Sequence, residues 1–217
     1  MRKNWDAVLF DFDGTLIDSA PDIIAALNCL LGELGHDAVR YDTYRTRAGD
    51  GARKLLEQVL IEQSVRFEEA ELPALVDRLL NHYYGLMTEN TCPYQSVPEV
   101  LSEIHGSGME LAICTNRTSK TTEHLLGHFG LSEFFTAVVC ADNVSAKKPD
   151  AAHLYQAIKS LSTAPERTVM IGDTATDVAA ARQAGHEVLL DLPMEPISYP
   201  ADDPGPHTLL TLSLIHI

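Results

Sequence analysis

At 217 residues, with 45% hydrophobic side chains, the chain is long enough for one α/β core plus a smaller insertion, and its apolar content is ordinary for a globular protein. Its 16 Lys and Arg stand against 31 Asp and Glu, a formal net charge of −15, which argues against nucleic-acid or anionic-membrane partners because both are polyanions. An anionic substrate would therefore need a locally positive pocket.

The start is basic at Met1-Arg2-Lys3, but Asp6, Asp11 and Asp13 interrupt what would have to be the apolar core of a signal peptide. No run approaches a membrane span, and a cytoplasmic protein is expected. Ala7-Val8-Leu9-Phe10 reads as a buried central strand that runs into Asp11-Phe12-Asp13-Gly14. Gly14 permits a tight exit and leaves both carboxylates at the strand's carboxyl end, where open α/β sheets bind ligands. Two carboxylates so close cannot both stay ionised in a partly buried site without a cation. Oxygen ligands with no paired His or Cys favour a hard divalent ion, Mg²⁺ being usual where a phosphate completes the coordination sphere.

From about Leu16 to about Leu86 the pattern is wholly helical. Ser19 with Asp22 reads as a capping pair, and Pro21 suits a first turn. Ile23, Ile24, Leu27, Leu30, Leu31 and Leu34 form one apolar stripe; others follow at Leu55, Leu56, Val59 and Leu60, then at Leu72, Leu75, Val76, Leu79, Leu80 and Tyr83. Between the first two helices lie Arg45, Arg47, Gly49, Asp50, Gly51, Arg53 and Lys54, a cationic patch in an acidic chain. Its glycines let backbone amides approach a ligand, and Arg47 or Arg53 would pair a carboxylate on it; a solvated charged loop is the alternative.

From about Thr88 short apolar runs alternate with helical segments, the signature of a parallel, doubly wound sheet. Glu110-Leu111-Ala112-Ile113-Cys114 leads into Thr115-Asn116, donors suited to phosphate oxygens, and Ala137-Val138-Val139-Cys140 is another strand. Lys147-Lys148-Pro149 supplies a cation beside a helix breaker. Thr168-Val169-Met170-Ile171 leads into Gly172 and Asp173, with Asp177 four residues on, a spacing that puts both aspartates on one face of a first helical turn. Thr174 or Thr176 would cap that helix, and Ala179, Ala180, Ala181 and Ala184 suit close packing on a sheet. Cys29, Cys92, Cys114 and Cys140 show no CxxC spacing and read as reduced core thiols. His124 and His128 share a helical face without a further ligand nearby and read as surface or packing residues.

Four strand-end sites in this order, DxDGT, TN, KP and GDxxxD, resemble the haloacid dehalogenase (HAD) superfamily of phosphatases over residues 5–186. Within it, LFDFDGTLIDSAPDI, Gly49-Asp50-Gly51, CPYQSVPEVL, ICTNR and KKPD look most like the phosphoglycolate phosphatase branch. The resemblance implies a Rossmann-like core of residues 1–15 and 88–217 and an inserted helical cap domain of residues 16–87. It makes Asp11 the nucleophile that forms a phosphoaspartyl intermediate and Asp13 the general acid and then base. Thr115, Asn116 and Lys148 would hold the phosphoryl oxygens. Asp11, Asp173 and the backbone carbonyl of Asp13 would ligate Mg²⁺, with Asp177 acting through water or orienting Lys148. The implied activity is Mg²⁺-dependent hydrolysis of a small phosphorylated metabolite, 2-phosphoglycolate first, by a monomer or homodimer. Hydrolysis of another small phosphometabolite or pyrophosphate, a β-phosphoglucomutase-like transfer, and a catalytically impaired binding module are the alternatives.

The chain departs from the pattern in three places. Asp150-Ala151 replaces a frequent second proline, and Arg117 stands where lysine is frequent, a change of small expected consequence. After Gly185, Glu187-Val188-Leu189-Leu190 can still complete a strand, but Pro193, Pro196, Pro200, Pro204 and Pro206 prevent a regular helix. With its ending Thr211-Leu212-Ser213-Leu214-Ile215-His216-Ile217, this tail reads as a frameshift, truncation or read-through scar.

Overall fold

The computed structural model of the protein describes residues 5–185 and the backbone of residues 187–190; the expectation of a foreign tail after about Gly185 lies outside them from residue 191 on. In chain order the elements are β1 (Ala7–Phe10), β2 (Ile17–Asp18), α1 (Ala20–Glu33), α2 (Tyr41–Tyr44), a 3₁₀ turn (Arg45–Asp50), α3 (Ala52–Glu62), α4 (Leu72–Leu86), β3 (Cys92–Pro93), α5 (Val97–Gly106), β4 (Glu110–Thr115), α6 (Ser119–His128), β5 (Ala137–Cys140), α7 (Ala151–Lys159), β6 (Thr168–Gly172), α8 (Ala175–Ala184) and β7 (Glu187–Leu190). The chain divides into two compact units, Met1–Asp18 with Pro93–Ile217, and Ser19–Cys92. Among the described residues no helix is long and apolar enough to cross a membrane.

The first unit is built on a parallel sheet in the order β5-β4-β1-β6-β7, the doubly wound arrangement expected from the alternation of strands and helices. β1 lies at its centre, and all its side chains are buried, because a strand covered on both faces has no solvent side for a polar residue. On one face Ala7, Leu9, Ala112, Cys114, Val139 and Met170 meet Leu154 and Ala157 of α7 and Ala180 and Ala181 of α8. The small residues of α8 allow the close approach read from the sequence. In register, Phe10 lies opposite Ile113 of β4 and Ile171 of β6. Because the strands are parallel, the residues after these three positions all leave the sheet along one edge.

The second unit is helical but does not begin where the helical pattern was read: β2 precedes it, and Arg45–Asp50 forms a 3₁₀ turn. Ile24, Leu27, Leu30 and Leu31 of α1 are buried in its interior, as are Leu55, Leu56, Val59 and Leu60 of α3 and Leu72, Leu79 and Tyr83 of α4. The expected capping pair does not form, since Ser19 makes no side-chain cap bond. Asp22 is instead fully buried and accepts hydrogen bonds from the Asn90 N–H at 3.0 Å, the Asn90 side-chain amide at 2.9 Å, the Thr91 N–H at 2.7 Å and the Thr91 hydroxyl at 2.8 Å. The carboxylate thus fastens the two ends of the unit together instead of capping α1 locally. Of the four thiols read as core, only Cys114 and Cys140 are buried; Cys29 sits on the outward face of α1 and Cys92 is half-buried. His124 and His128 are exposed and their rings stack at 6.5 Å, a packing role as read.

Replacing Asp22 with Ala leaves the buried N–H and hydroxyl of Thr91 unpaired and is expected to lower stability by about 2–4 kcal/mol. Urea denaturation of the whole chain checks this, with Asp22→Asn expected to cost less because one acceptor oxygen remains.

Candidate active site

Asp11 continues the β1 ladder by one step, its N–H donating to the Ile171 carbonyl at 2.9 Å. The chain then folds back: the N–H groups of Leu16 and Ile17 both donate to the Phe12 carbonyl, at 2.9 and 3.1 Å, and the Gly14 N–H donates to the Ile17 carbonyl at 2.9 Å. Gly14 is needed here for two reasons. Its φ of +81° suits glycine, and a Cβ would lie 2.2 Å from Oδ2 of Asp173. That close approach lets the Thr15 hydroxyl donate to Oδ1 of Asp173 at 3.1 Å.

At the end of β6, Asp173 precedes the helix instead of occupying its first turn. Thr174, and not Thr176, is the N-cap of α8, forming a capping box with Asp177. Oδ2 of Asp177 accepts from the Thr174 N–H at 3.0 Å and the Thr174 hydroxyl at 2.6 Å, turning the carboxylate back over the helix start. Gly172 makes room for it, since a Cβ there would lie 2.5 Å from Cγ of Asp177. The two aspartates therefore meet through a cap and a close approach, and not through the helical i, i+4 spacing.

The Lys148 ammonium lies between Asp11 and Asp177, with Nζ 2.9 Å from Oδ1 of Asp11 and 2.6 Å from Oδ1 of Asp177, and its side chain is 1% exposed. Two side chains fix its backbone. The Asn116 amide donates to the Lys148 carbonyl at 3.0 Å, and the Lys148 N–H donates to Nδ1 of His153 at 3.2 Å. Nε2 of His153 lies 3.1 Å from the Val139 carbonyl, an arrangement that calls for a neutral ring with its proton on Nε2. Burial lowers its pKa to about 4, which keeps it so. His153 was not singled out from the sequence; its signal is a histidine five residues after the lysine, turned inward on the first turn of α7.

Oxygens of Asp11, Asp173 and Asp177 lie within 4.8 Å of one another. Burial, with Asp177 and Asp13 nearby, raises the pKa of Asp11 to about 6 against the opposing pull of Lys148. Burial and the charges of Asp11 and Asp177 raise Asp173 to about 7. Burial pulls Lys148 down, but the two carboxylates beside it more than restore the ammonium. Three carboxylates around one cation leave a negative excess that a hard divalent ion would neutralise, and an oxygen-only donor set fits such an ion. Asp11, Asp173 and Asp177 could each offer it one oxygen, and Asp177 already has one oxygen on Lys148 and the other on Thr174.

Asp13 lies beside this cluster, its carboxylate gripped by Arg117: Nε donates to Oδ2 at 2.8 Å and Nη2 to Oδ1. The Thr115 hydroxyl oxygen accepts from the Arg117 N–H at 3.2 Å, which leaves its own proton for an incoming oxygen. The side-chain amide of Asn116 serves the Lys148 loop, as described. The core thus gathers Asp11, Asp13, Thr115, Asn116, Lys148, Asp173 and Asp177 at one sheet edge. The expected cap-loop residues belong to the Ser19–Cys92 unit. There Arg47 bonds Glu62 at 2.6 Å and stacks on Tyr44, and Arg53 bonds Glu69 at 2.6 Å. Gly49 is exposed, and Gly51, with φ of +96°, opens α3.

The chain belongs to the haloacid dehalogenase-like hydrolases, whose family pattern matches residues 8–190, and a carboxylate buried just after β1 beside a buried lysine suits a phosphatase. Among the curated relatives, the phosphoglycolate phosphatase of Caulobacter vibrioides is 37% identical over 84% of this chain and 77% of its own length, and that of Agrobacterium fabrum 34% identical over 81% and 76%. Among solved structures, a predicted phosphoglycolate phosphatase from Haemophilus somnus has the same fold with a TM-score of 0.77 at 23% identity, covering 85% of this chain and 84% of the other. CbbY from Rhodobacter sphaeroides, solved with xylulose-(1,5)bisphosphate, has a TM-score of 0.72 at 22% identity, covering 87% and 86%. Enzymes of this family generally use a divalent metal, with which the acidic cluster is compatible.

Asp11 and Asp173 hold their protons in the metal-free fold up to about pH 6 and 7, whereas both ionise near 3.8 when unfolded. The metal-free fold accordingly loses stability as pH rises through that window, and a bound cation restores it. The rise in melting temperature on adding Mg²⁺ is therefore expected to be small at pH 5 and several-fold larger at pH 8, as differential scanning fluorimetry would show.

Proposed function

We propose that the chain is a Mg²⁺-dependent phosphomonoester hydrolase working through a phosphoaspartyl intermediate, with 2-phosphoglycolate its leading substrate. The observation that carries the mechanism is the Asp11 carboxylate at the end of β1, 2.9 Å from a buried ammonium. The substrate reading rests on the relatives named phosphoglycolate phosphatase at 37% and 34% identity.

In this mechanism an Asp11 oxygen attacks phosphorus while the ester oxygen leaves and takes a proton from Asp13. Water then attacks phosphorus, giving its proton to Asp13, and the Asp11–phosphorus bond breaks. The Thr115 hydroxyl and Lys148 hold phosphoryl oxygens, and Asn116 contributes by keeping Lys148 in place. Asp11, Asp173 and the Asp13 carbonyl would hold Mg²⁺, with Asp177 orienting Lys148 or acting through water. When bound, the ion neutralises charge on the transferring phosphoryl group. Lys148 has a second duty, for it screens Asp11 from Asp177 and so keeps the nucleophile in reach of an anionic substrate.

Arg47 and Arg53 as readers of the substrate's carboxylate form a further part of the proposal; each would exchange Glu62 or Glu69 for that carboxylate. Neutralising both is expected to raise KM for 2-phosphoglycolate, and an unchanged KM would remove them from the substrate reading. The reduced cysteines fit a cytoplasmic enzyme of small metabolites, monomeric or homodimeric.

Phosphate release from 2-phosphoglycolate, sugar phosphates, nucleotides and pyrophosphate, with and without Mg²⁺, tests the whole reading. Asp11→Asn is expected to lower turnover by at least about 1,000-fold while the fold persists. Substantial activity in that variant would overturn the nucleophile. Preference for another ester would keep the mechanism and change the substrate. Transfer of the phosphoryl group to added sugar phosphate would turn the hydrolase into a mutase.

A further inference from the structure

The grip of Arg117 on Asp13 has no place in the steps above. Arg117 is anchored at three points: its N–H donates to the Thr115 hydroxyl at 3.2 Å, its carbonyl accepts from the Ala141 N–H at 3.0 Å, and its guanidinium is forked on Asp13 with only 8% of the side chain exposed. The backbone of a residue at the end of β4 is thus tied to the segment after β5, and the side chain reaches back to the loop after β1. Nε and Nη2 each donate to a different oxygen of Asp13, so the planar fork fixes both the position and the twist of the carboxylate. A carboxylate held in this way accepts one bond at each oxygen, which sets its plane while its side chain stays 21% exposed.

We propose that Arg117 is a positioning residue for proton transfer, locking Asp13 in one orientation between the two half-reactions and opening one arm of the fork when Asp13 protonates the leaving oxygen. The inference rests on the reading of Asp13 as acid and base. In the first half-reaction the ester P–O bond breaks, its electron pair stays on the leaving oxygen, and that oxygen takes the Asp13 proton through the opened arm. In the second, a water oxygen bonds phosphorus, its proton passes to Asp13, the Asp11–phosphorus bond breaks, and the re-formed fork holds Asp13 toward the water's path. A lysine in place of Arg117 would make a single-point contact that fixes distance but not twist.

The consequence is a dependence on the leaving group. An alkoxide such as that of 2-phosphoglycolate needs the proton, whereas p-nitrophenolate leaves without one. In the full chain with Mg²⁺, Arg117→Met is expected to lower kcat for 2-phosphoglycolate by about 10- to 100-fold with KM within about threefold of the parent. With p-nitrophenyl phosphate, rapid mixing should show a burst of p-nitrophenol, because transfer to Asp11 proceeds while hydrolysis slows. Arg117→Lys should recover part of the loss. Equal losses on both substrates without a burst, or no loss on either, would overturn the inference. If Arg117→Met does not unfold cooperatively, the ratio of the two losses in Arg117→Lys decides in its place. Asp13→Asn run alongside separates the readings: without leaving-group dependence in that variant the acid and base role itself fails. If that variant shows the dependence and the Arg117 variants do not, only the role of Arg117 fails.

Discussion

The site depends on one buried ammonium. Lys148 is almost wholly removed from water, and an isolated charge there would be prohibitively costly. It persists because Asp11, just after β1, and Asp177, on the first turn of α8, approach it to 2.9 and 2.6 Å. Removing either carboxylate would leave the ammonium under-compensated; removing the ammonium would leave three carboxylates repelling one another. The loop that carries it is held by Asn116 from the end of β4 and by His153 from α7, so the cation's position depends on neighbouring side chains as well as on its two carboxylates.

Around that cation the site is assembled by close approach. Gly14 and Gly172 are the points where β1 and β6 release their loops, and at each a methyl group would collide with a carboxylate, Asp173 at the first and Asp177 at the second. The Thr174 capping box then consumes one oxygen of Asp177, leaving the other for Lys148. Phosphoryl transfer gains most from groups already in place when charge develops, and hydrogen bonds of this kind hold them there without cost at the moment of reaction. The chain's net charge of −15 extends into the site, where Asp11, Asp13, Asp173 and Asp177 outnumber the cations Lys148 and Arg117, so an anionic substrate would need the added charge of a bound divalent ion there.

The helical unit follows a separate physical logic. Its core is a meeting of apolar stripes, and its two ends are fastened by Asp22, whose carboxylate satisfies donors of Asn90 and Thr91. Its cationic segment is largely spoken for, Arg47 by Glu62 and Tyr44, Arg53 by Glu69. These are exposed pairs, each worth little.

The parallel sheet and most of its strands are legible in the order of the amino acids, because a strand buried on both faces must be apolar throughout and its end is marked by the first polar residue. That order also determined which residues leave β1, β4 and β6 along one edge, since strand ends in a parallel sheet coincide. It did not determine what those residues touch. Ser19 and Asp22 look like a cap, yet Asp22 bonds residues 68 and 69 positions away. Asp173 and Asp177 look like neighbours on a helix, yet only Asp177 is on one. Arg117 looks interchangeable with lysine until Asp13 is seen inside its fork, and His153 looks like any helical histidine until Lys148 and Val139 are found at its two nitrogens. Periodicity records which face of an element is buried; which polar groups meet across elements is decided only when the chain has folded, because each buried donor or acceptor must then find a partner or lose the solvation it had.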